Sequence, residues 1–194
     1  MSNKSFWKNI WDEKGNSANN DLLFLDGYEH LEIEFNSANI VDDIIKTMSI
    51  NKGDKILEVG CGAGFLSREF SEYDYHGVDY SAPLIKKHKN LHPEHSVVVS
   101  EANRLPFKDK TFDKVFCFGV IQYLPDKKYA DEVIDEMLRL AKDTIFLGDL
   151  KSQATRKEHF VYSKEALRQR NFSIIPCFYE ENDCHRYNAV LNIG

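Results

Sequence analysis

An acid and three glycines stand together where an apolar strand ends. In Ile56-Leu57-Glu58-Val59-Gly60-Cys61-Gly62-Ala63-Gly64-Phe65-Leu66 the apolar run carries Glu58 and then opens into Gly60, Gly62 and Gly64. Glycines let backbone approach a ligand closely. The spacing is G-x-G-x-G, so the third glycine falls one residue short of the dinucleotide fingerprint G-x-G-x-x-G. A carboxylate repels a pyrophosphate and attracts a cation. Glu58 therefore points to a ligand that brings positive charge, and no phosphate, to this loop. A second acid, Asp79, follows 19 residues after Gly60, in Gly77-Val78-Asp79-Tyr80-Ser81. A carboxylate at that place can accept hydrogen bonds from both hydroxyls of a ribose.

S-adenosylmethionine has these properties: an ammonium, a sulfonium and an adenosine. Glu58 would face its cationic methionine part, directly or through water. Four stretches then carry a resemblance. They are Leu57 to Gly64 (LEVGCGAG), Gly77 to Ser81 (GVDYS), Glu101 to Asp113 (EANRLPFKDKTFD) and Val115 to Asp126 (VFCFGVIQYLPD). Together they resemble the class I S-adenosylmethionine-dependent methyltransferases of small-molecule type, over about residues 40 to 150. The resemblance implies that Glu58, Gly60, Cys61, Gly62, Gly64, Asp79 and Tyr80 hold the cofactor. It implies that Ala102 and Asn103 flank its adenine, and that Phe118 and Gly119 also bind the cofactor. The product would be S-adenosylhomocysteine.

Methyl transfer from a sulfonium is an in-line displacement with a good leaving group, so alignment matters more than acid–base machinery. Catalytic residues should therefore be less visible than cofactor residues. Tyr28 is carried over from aromatic residues that the family often places near the methyl group, with His30 beside it in DGYEHLEIEF. Gln122 and Tyr123 occupy the loop after the fourth strand, where many small-molecule members have a histidine. Gln122 can orient an acceptor without taking its proton. The Asp/Asn-Pro-Pro-Tyr signature of adenine-N6 methyltransferases is absent there. The insert from Lys151 to Tyr162 is polar and basic. Arg156, Lys157 and His159, with Arg186 returning nearby, could grip a phosphate or carboxylate. The expected acceptor is a small anionic metabolite, such as a phosphorylated amine or a nucleotide-linked sugar. His159 joins Tyr28, Gln122 and Tyr123 as a catalytic candidate. Tyr28, His30, Arg156 and Arg186 are the acceptor-binding candidates.

The elements that must position these residues alternate between strand and helix. Ile40, Val41, Ile44, Ile45 and Met48 form one helical face in Ser37 to Ser49. Strands are expected at Lys55 to Val59, Tyr75 to Asp79, Val97 to Val99, Phe112 to Gly119 and Thr144 to Leu147. Helices are expected from Phe65 to Phe70, after a Ser81 cap, from Tyr129 to Ala141 and from Ser163 to Arg170. Two neighbouring strands, Phe172 to Tyr179 and Arg186 to Ile193, end the chain. This order predicts a Rossmann-like α/β fold. Its seven-stranded sheet should be mostly parallel, with helices on both faces and an antiparallel edge strand. We expect one domain over 1–194: an N-terminal cap at 1–37, a cofactor core at 38–150 and an acceptor side at 151–194. Phe6, Trp7, Ile10 and Trp11, at helical spacing in the cap, read either as a packed face or as a lid.

Composition bounds these readings. A net charge of −6 speaks against a nucleic-acid partner, which wants basic surface. The four cysteines show no C-x-x-C pair, which suits free thiols in a reducing compartment. Cys177, Cys184 and His185 lack a fourth zinc ligand, so no metal is expected. No apolar run approaches the ~20 residues of a membrane span. The expectation is a cytoplasmic monomer or homodimer acting on a small molecule.

Overall fold

The computed structural model describes residues 3–29, 36–178 and 185–193. Strand β1 (Lys55–Val59) pairs in parallel with β2 (Asp74–Asp79) on one side and β4 (Phe112–Phe118) on the other. β3 (Ser96–Val99) adds to β2, and β5 (Ala141–Lys151) to β4, both in parallel. β7 (Arg186–Asn192) runs antiparallel between β5 and β6 (Ser173–Pro176). The sheet order is β3-β2-β1-β4-β5-β7-β6, seven strands with one reversed next to the edge, as expected.

Side chains alternate across a strand, and this sorts the two cores. Leu57, Val59, Val115, Cys117, Ile145 and Leu147 face α5 (Lys127–Leu140), which meets them with Val133, Ile134 and Met137. Ile56, Phe116, Phe118 and Phe146 face the other way, onto Ile40, Val41, Ile44 and Met48 of α3 (Ser37–Met48). Helices therefore cover both faces. Asp126 caps α5, its carboxylate accepting the Tyr129 amide at 2.8 Å. Ser81 caps α4 (Ala82–Leu91), and Ser163 caps α6 (Lys164–Gln169).

The helix expected from Phe65 to Phe70 is instead a single 3-10 turn, Ser67–Phe70. The reason is length. Strand β1 advances about 17 Å at ~3.3 Å per residue, and a helix rising ~1.5 Å per residue needs about 11 residues to return. Only residues 65–73 separate Gly64 from β2.

The chain before α3 forms α1 (Asn3–Asn16) and one turn of helix that was not expected, α2 (Leu22–Leu25). Trp7 and Trp11 of α1 are buried with Leu25, with Ala63 of the glycine loop and with Leu84 of α4. The aromatic spacing is thus explained by a packed face. Among the described residues no helix is long and apolar enough to cross a membrane. His30 lies outside the described residues, as do Tyr179 and Cys184.

Candidate functional site

Sheet order reverses at β1 and β4, so the loops after these strands part and leave a crevice at their carboxyl ends. The loop after β1 is stitched to β2 by the amides of Gly60 and Cys61, which both donate to the Val78 carbonyl at 2.7 and 3.0 Å. Gly62 adopts φ +50°, and a β-carbon there would lie 2.2 Å from Asp26 Oδ1. Glycine is needed because a carboxylate from the N-terminal segment enters the loop. Asp26 accepts the amides of Ala63 at 2.7 Å and Phe65 at 2.8 Å. Asp79 accepts the Gly62 amide at 3.2 Å and the Ser81 amide at 2.8 Å. Glu58 accepts the Tyr75 hydroxyl at 2.5 Å.

These three carboxylates line one cavity together with Glu101, and Glu58, Asp26 and Asp79 each hold their proton more tightly than usual. Burial is the main cause for all three. Glu58 is pushed up to about 8, against the pull of Tyr75 and with repulsion from Asp26 and Asp79. Asp26 is pushed up to about 7 even though the loop amides favour its charge. Asp79 rises to about 6. Such a cluster lacks positive charge. The cavity wall also contains Lys4, but its ammonium is bridged to Glu101 at 3.1 Å.

The cavity encloses about 930 Å³ of space, including solvent at its mouth. Besides the three acids, Gly60, Cys61, Gly62, Tyr80 and Ala102 line it from the β1 and β2 side. Phe118, Gly119, Tyr123 and Tyr28 line it from the β4 side, under Trp11. These are the residues that the sequence pattern singled out, with Trp11 from the aromatic face of the cap, joined by Asp26, which it did not.

Six other candidates stand outside the cavity wall. Gly64 has φ +104°, and the room left by its missing side chain is taken by His92 and Ser67. Asn103 turns away and donates its amide to Glu132 of α5 at 2.8 Å. Gln122 is buried and donates to the Gly119 carbonyl at 2.8 Å, so it shapes the loop. His159 stacks on Trp7 at 5.3 Å and 11°. Its Nδ1 faces the Thr155 hydroxyl at 3.0 Å and the Lys151 ammonium at 3.4 Å. Arg156 is exposed. Arg186 is paired with Asp149.

On the acceptor side the residues pack closely. A β-carbon at Gly119, φ +70°, would lie 2.7 Å from Tyr28 Oη and 3.6 Å from Asp149 Oδ2. Asp149 is itself a buried non-glycine residue at φ +56°, in a bulge of β5 between Leu147 and Leu150. Bulges and left-handed residues of this kind cluster at working sites. The Tyr28 phenol is held well above its usual range, by burial first and by Asp149 and Asp26 next, so it stays a hydrogen-bond donor. Trp7 and Trp11 pack on Tyr123 at 4.7 and 5.1 Å, and the Trp7 indole donates to the Glu158 carbonyl at 3.1 Å. Helix α1, the β4 loop and the insert after β5 are thereby joined over the cavity.

Known proteins decide the family. The profile of the methyltransferase-domain family matches residues 57–145, the span that holds the glycine loop, Asp79 and the β4 loop. Residues 57–145 are a methyltransferase domain of the class I S-adenosylmethionine-dependent kind. Among curated proteins, the chain is 32% identical over 126 residues to the probable methyltransferase ltbC of Aspergillus luteorubrus, matching 57% of this chain and 43% of that one. It is 33% identical over 88 residues to the probable tRNA methyltransferase 9B of Mus musculus, matching 45% of this chain and 19% of that one. The chain therefore spans less than half the length of these relatives. Phosphoethanolamine N-methyltransferase 1 of Haemonchus contortus, solved with phosphoethanolamine and S-adenosylhomocysteine, shares the fold. The TM-score is 0.72 at 15% identity, over 98% of this chain and 48% of that one.

The residues that line the cavity fit S-adenosylmethionine. Each carboxylate oxygen can accept two hydrogen bonds, so Asp79 keeps acceptor capacity for a ribose beside its two backbone donors. Glu58 and Asp26 would supply negative charge for a sulfonium and an ammonium. Asp26 was missed because no motif marks it. One local signal existed: an acid ends the apolar run Leu22-Leu23-Phe24-Leu25, at a helix C-cap, where the helix dipole disfavours it.

Proposed function

We propose that the protein transfers a methyl group from S-adenosylmethionine to a small-molecule acceptor and releases S-adenosylhomocysteine. The carrying observation is the convergence of Asp26, Glu58 and Asp79 on a loop almost bare of side chains. When bound, the cofactor supplies an electrophilic methyl group on a sulfonium. Asp79 would hold the ribose, and Glu58 and Asp26 the cationic end. Tyr80 and Ala102 would flank the adenine. Tyr28 and Tyr123 would orient the acceptor as hydroxyl donors, while Trp7 and Trp11 keep water out. We divide the chain accordingly into a cap (1–37), a cofactor core (38–150) and an acceptor side (151–194).

The acceptor we assign is anionic, a phosphorylated amine or a nucleotide-linked sugar. Two observations support this class. The His159 ring is held at about 4, by burial first and then by the cations of Lys151, Arg156 and Arg186 gathered around it. The fold also matches an enzyme solved with phosphoethanolamine. An RNA acceptor is the second reading, on the likeness to tRNA methyltransferase 9B. The acid-lined cavity and the net charge of −6 weigh against it.

Calorimetry with S-adenosylhomocysteine tests the cofactor half of this reading. Asp79→Ala should weaken binding about 100-fold, the loss of two hydrogen bonds to a charged acceptor. Equal affinity in that variant, or no binding by the parent, would refute it. A screen of phosphorylated amines, nucleotide sugars and tRNA for S-adenosylhomocysteine formation then tests the acceptor. Turnover of tRNA alone would favour the second reading. Binding without any turnover would mark a non-catalytic module.

A further inference from the structure

Behind the glycine loop, in the turn from α4 to β3, the sequence runs His92-Pro93-Glu94-His95. None of these residues lines the cofactor cavity. One ligand atom from each of His92, Glu94 and His95 lies within 4.8 Å of the other two. The two imidazoles are nearly parallel, 5.2 Å apart at 22°. The Nε2 atoms of His92 and His95 are buried and have no hydrogen-bond partner among the described residues. The His95 side chain is only 2% exposed. A buried polar nitrogen without a partner is costly, and that of His95 faces the cluster, 3.6 Å from Glu94 Oε1, while His92 turns its Nδ1 to the same oxygen at 3.9 Å.

The hydrogen-bond network assigns the tautomers. A carbonyl only accepts, so His88 must donate from Nδ1 to the Gly62 carbonyl, 3.1 Å away. Its Nε2 is then an acceptor. The Ser67 hydroxyl donates to the Gly64 carbonyl at 3.2 Å. The same hydroxyl lies 3.1 Å from His88 Nε2, and His95 Nδ1 lies 3.2 Å from that nitrogen; with Ser67 donating to Gly64, the donor to His88 Nε2 is His95 Nδ1. His95 Nε2 consequently presents a lone pair to the cluster. An imidazole whose far nitrogen donates to a fixed acceptor is the usual outer-shell arrangement of a metal-bound histidine.

We propose that His92, Glu94 and His95 form a binding site for a divalent zinc-class cation, with water as the fourth ligand. Two imidazoles and a carboxylate suit zinc, whereas magnesium and calcium prefer oxygen alone. Tetrahedral bonds of about 2.1 Å place neighbouring ligand atoms about 3.4 Å apart. Glu94 Oε1 already lies 3.9 Å from His92 Nδ1 and 3.6 Å from His95 Nε2, so the remaining closure falls mainly to the two imidazoles drawing together. Arg68 is the neighbouring cation, and its guanidinium is engaged by Ser37 and Glu69. Because three ligands come from four successive residues, little chain entropy is lost on closure. The bound ion would pin the end of α4 and, through His88, the back of the loop at Gly62. This role is structural and independent of the methyl acceptor.

The test uses the full chain, stripped with a chelator and titrated with zinc chloride. One equivalent should bind, raise the melting temperature, and lose affinity at least about tenfold in His92→Ala and His95→Ala. Glu94→Gln changes an exposed side chain, so it should keep the apo melting temperature and still bind zinc about tenfold more weakly. X-ray absorption of the zinc-loaded protein should show nitrogen and oxygen ligands with two imidazoles. Absence of stoichiometric uptake, sulfur in the shell, or unchanged affinity in Glu94→Gln would each overturn the proposal.

Discussion

Asp26 accepts the amide of Phe65 at 2.8 Å across 39 residues of sequence, and the amide of Ala63 by its other oxygen. The N-terminal segment is thereby fastened to the loop that defines the family. Asp26→Ala leaves two loop amides without their acceptor. We expect it to lower apo stability by about 1–2 kcal/mol. S-adenosylhomocysteine affinity should also fall at least about tenfold, because the loop loses its shape and the site loses a charge. Asp26→Asn keeps an oxygen for one amide and should lose less of both. Thermal unfolding and calorimetry read the two effects separately. An unaltered apo melting point in Asp26→Ala would show that the amides find water instead.

The raised acids make donor binding depend on pH in a definite direction. Glu58 at about 8, Asp26 at about 7 and Asp79 at about 6 each hold part of a proton near neutrality. A cationic ligand favours their ionised forms, so binding expels protons. Affinity for S-adenosylmethionine should therefore strengthen as pH rises from 6 to 8 and level off above Glu58's value, by about tenfold in all. Calorimetry at pH 7 in two buffers of different ionisation enthalpy counts the released protons. Glu58→Gln should release fewer than the parent, and the ligand's own titration cancels in that comparison. Equal release by both proteins would remove Glu58 from the cationic end.

What the sequence revealed of this site was local in origin. The glycine loop, the strand ending in Asp79 and the Ser81 cap each sit within a few residues of their own signal. Alternation placed the strands, and helical spacing placed α3 and α5. The residues that escaped notice meet partners far along the chain. Asp26 reaches Ala63 and Asp149 reaches Arg186, each across 37 residues. No short window contains both members. The missing helix after Gly64 failed for a related reason: its pattern was helical, but the distance to β2 is a property of the sheet. Asn103 and Gln122 had suitable chemistry, yet α5 and the Gly119 carbonyl claim their amides. The unpartnered nitrogens of His92 and His95 are visible only in three dimensions.

Gly119 and Tyr28 should be energetically coupled. A methyl group at 119 meets Tyr28 Oη at 2.7 Å, in a backbone conformation with φ +70°. Gly119→Ala should cost about 1–2 kcal/mol for the left-handed conformation, and more for the displaced phenol. Tyr28→Phe removes the colliding oxygen. The double variant should therefore be more stable than the sum of the single changes allows. Additive losses would mean that Tyr28 is not held over Gly119. Turnover should fall in Tyr28→Phe with S-adenosylhomocysteine affinity little altered, if the hydroxyl serves the acceptor.

Arg186 has two roles to separate. It pairs with Asp149, whose side chain is 3% exposed, while its own is 19% exposed. Arg186→Ala removes the cation beside that buried carboxylate, which should cost about 3 kcal/mol, the low end for a buried pair because Arg186 keeps partial exposure. Adding Asp149→Asn removes the buried negative charge and should restore part of the stability. The anionic acceptor, by contrast, feels the lost cation whether or not Asp149 is neutralised. Once an acceptor is found, its KM should rise in Arg186→Ala/Asp149→Asn and stay high despite the recovered fold. Arg156→Ala, on an exposed side chain, should raise KM without moving the melting temperature. Unchanged KM in both proteins would leave these cations a structural role only and take the negative charge off the acceptor.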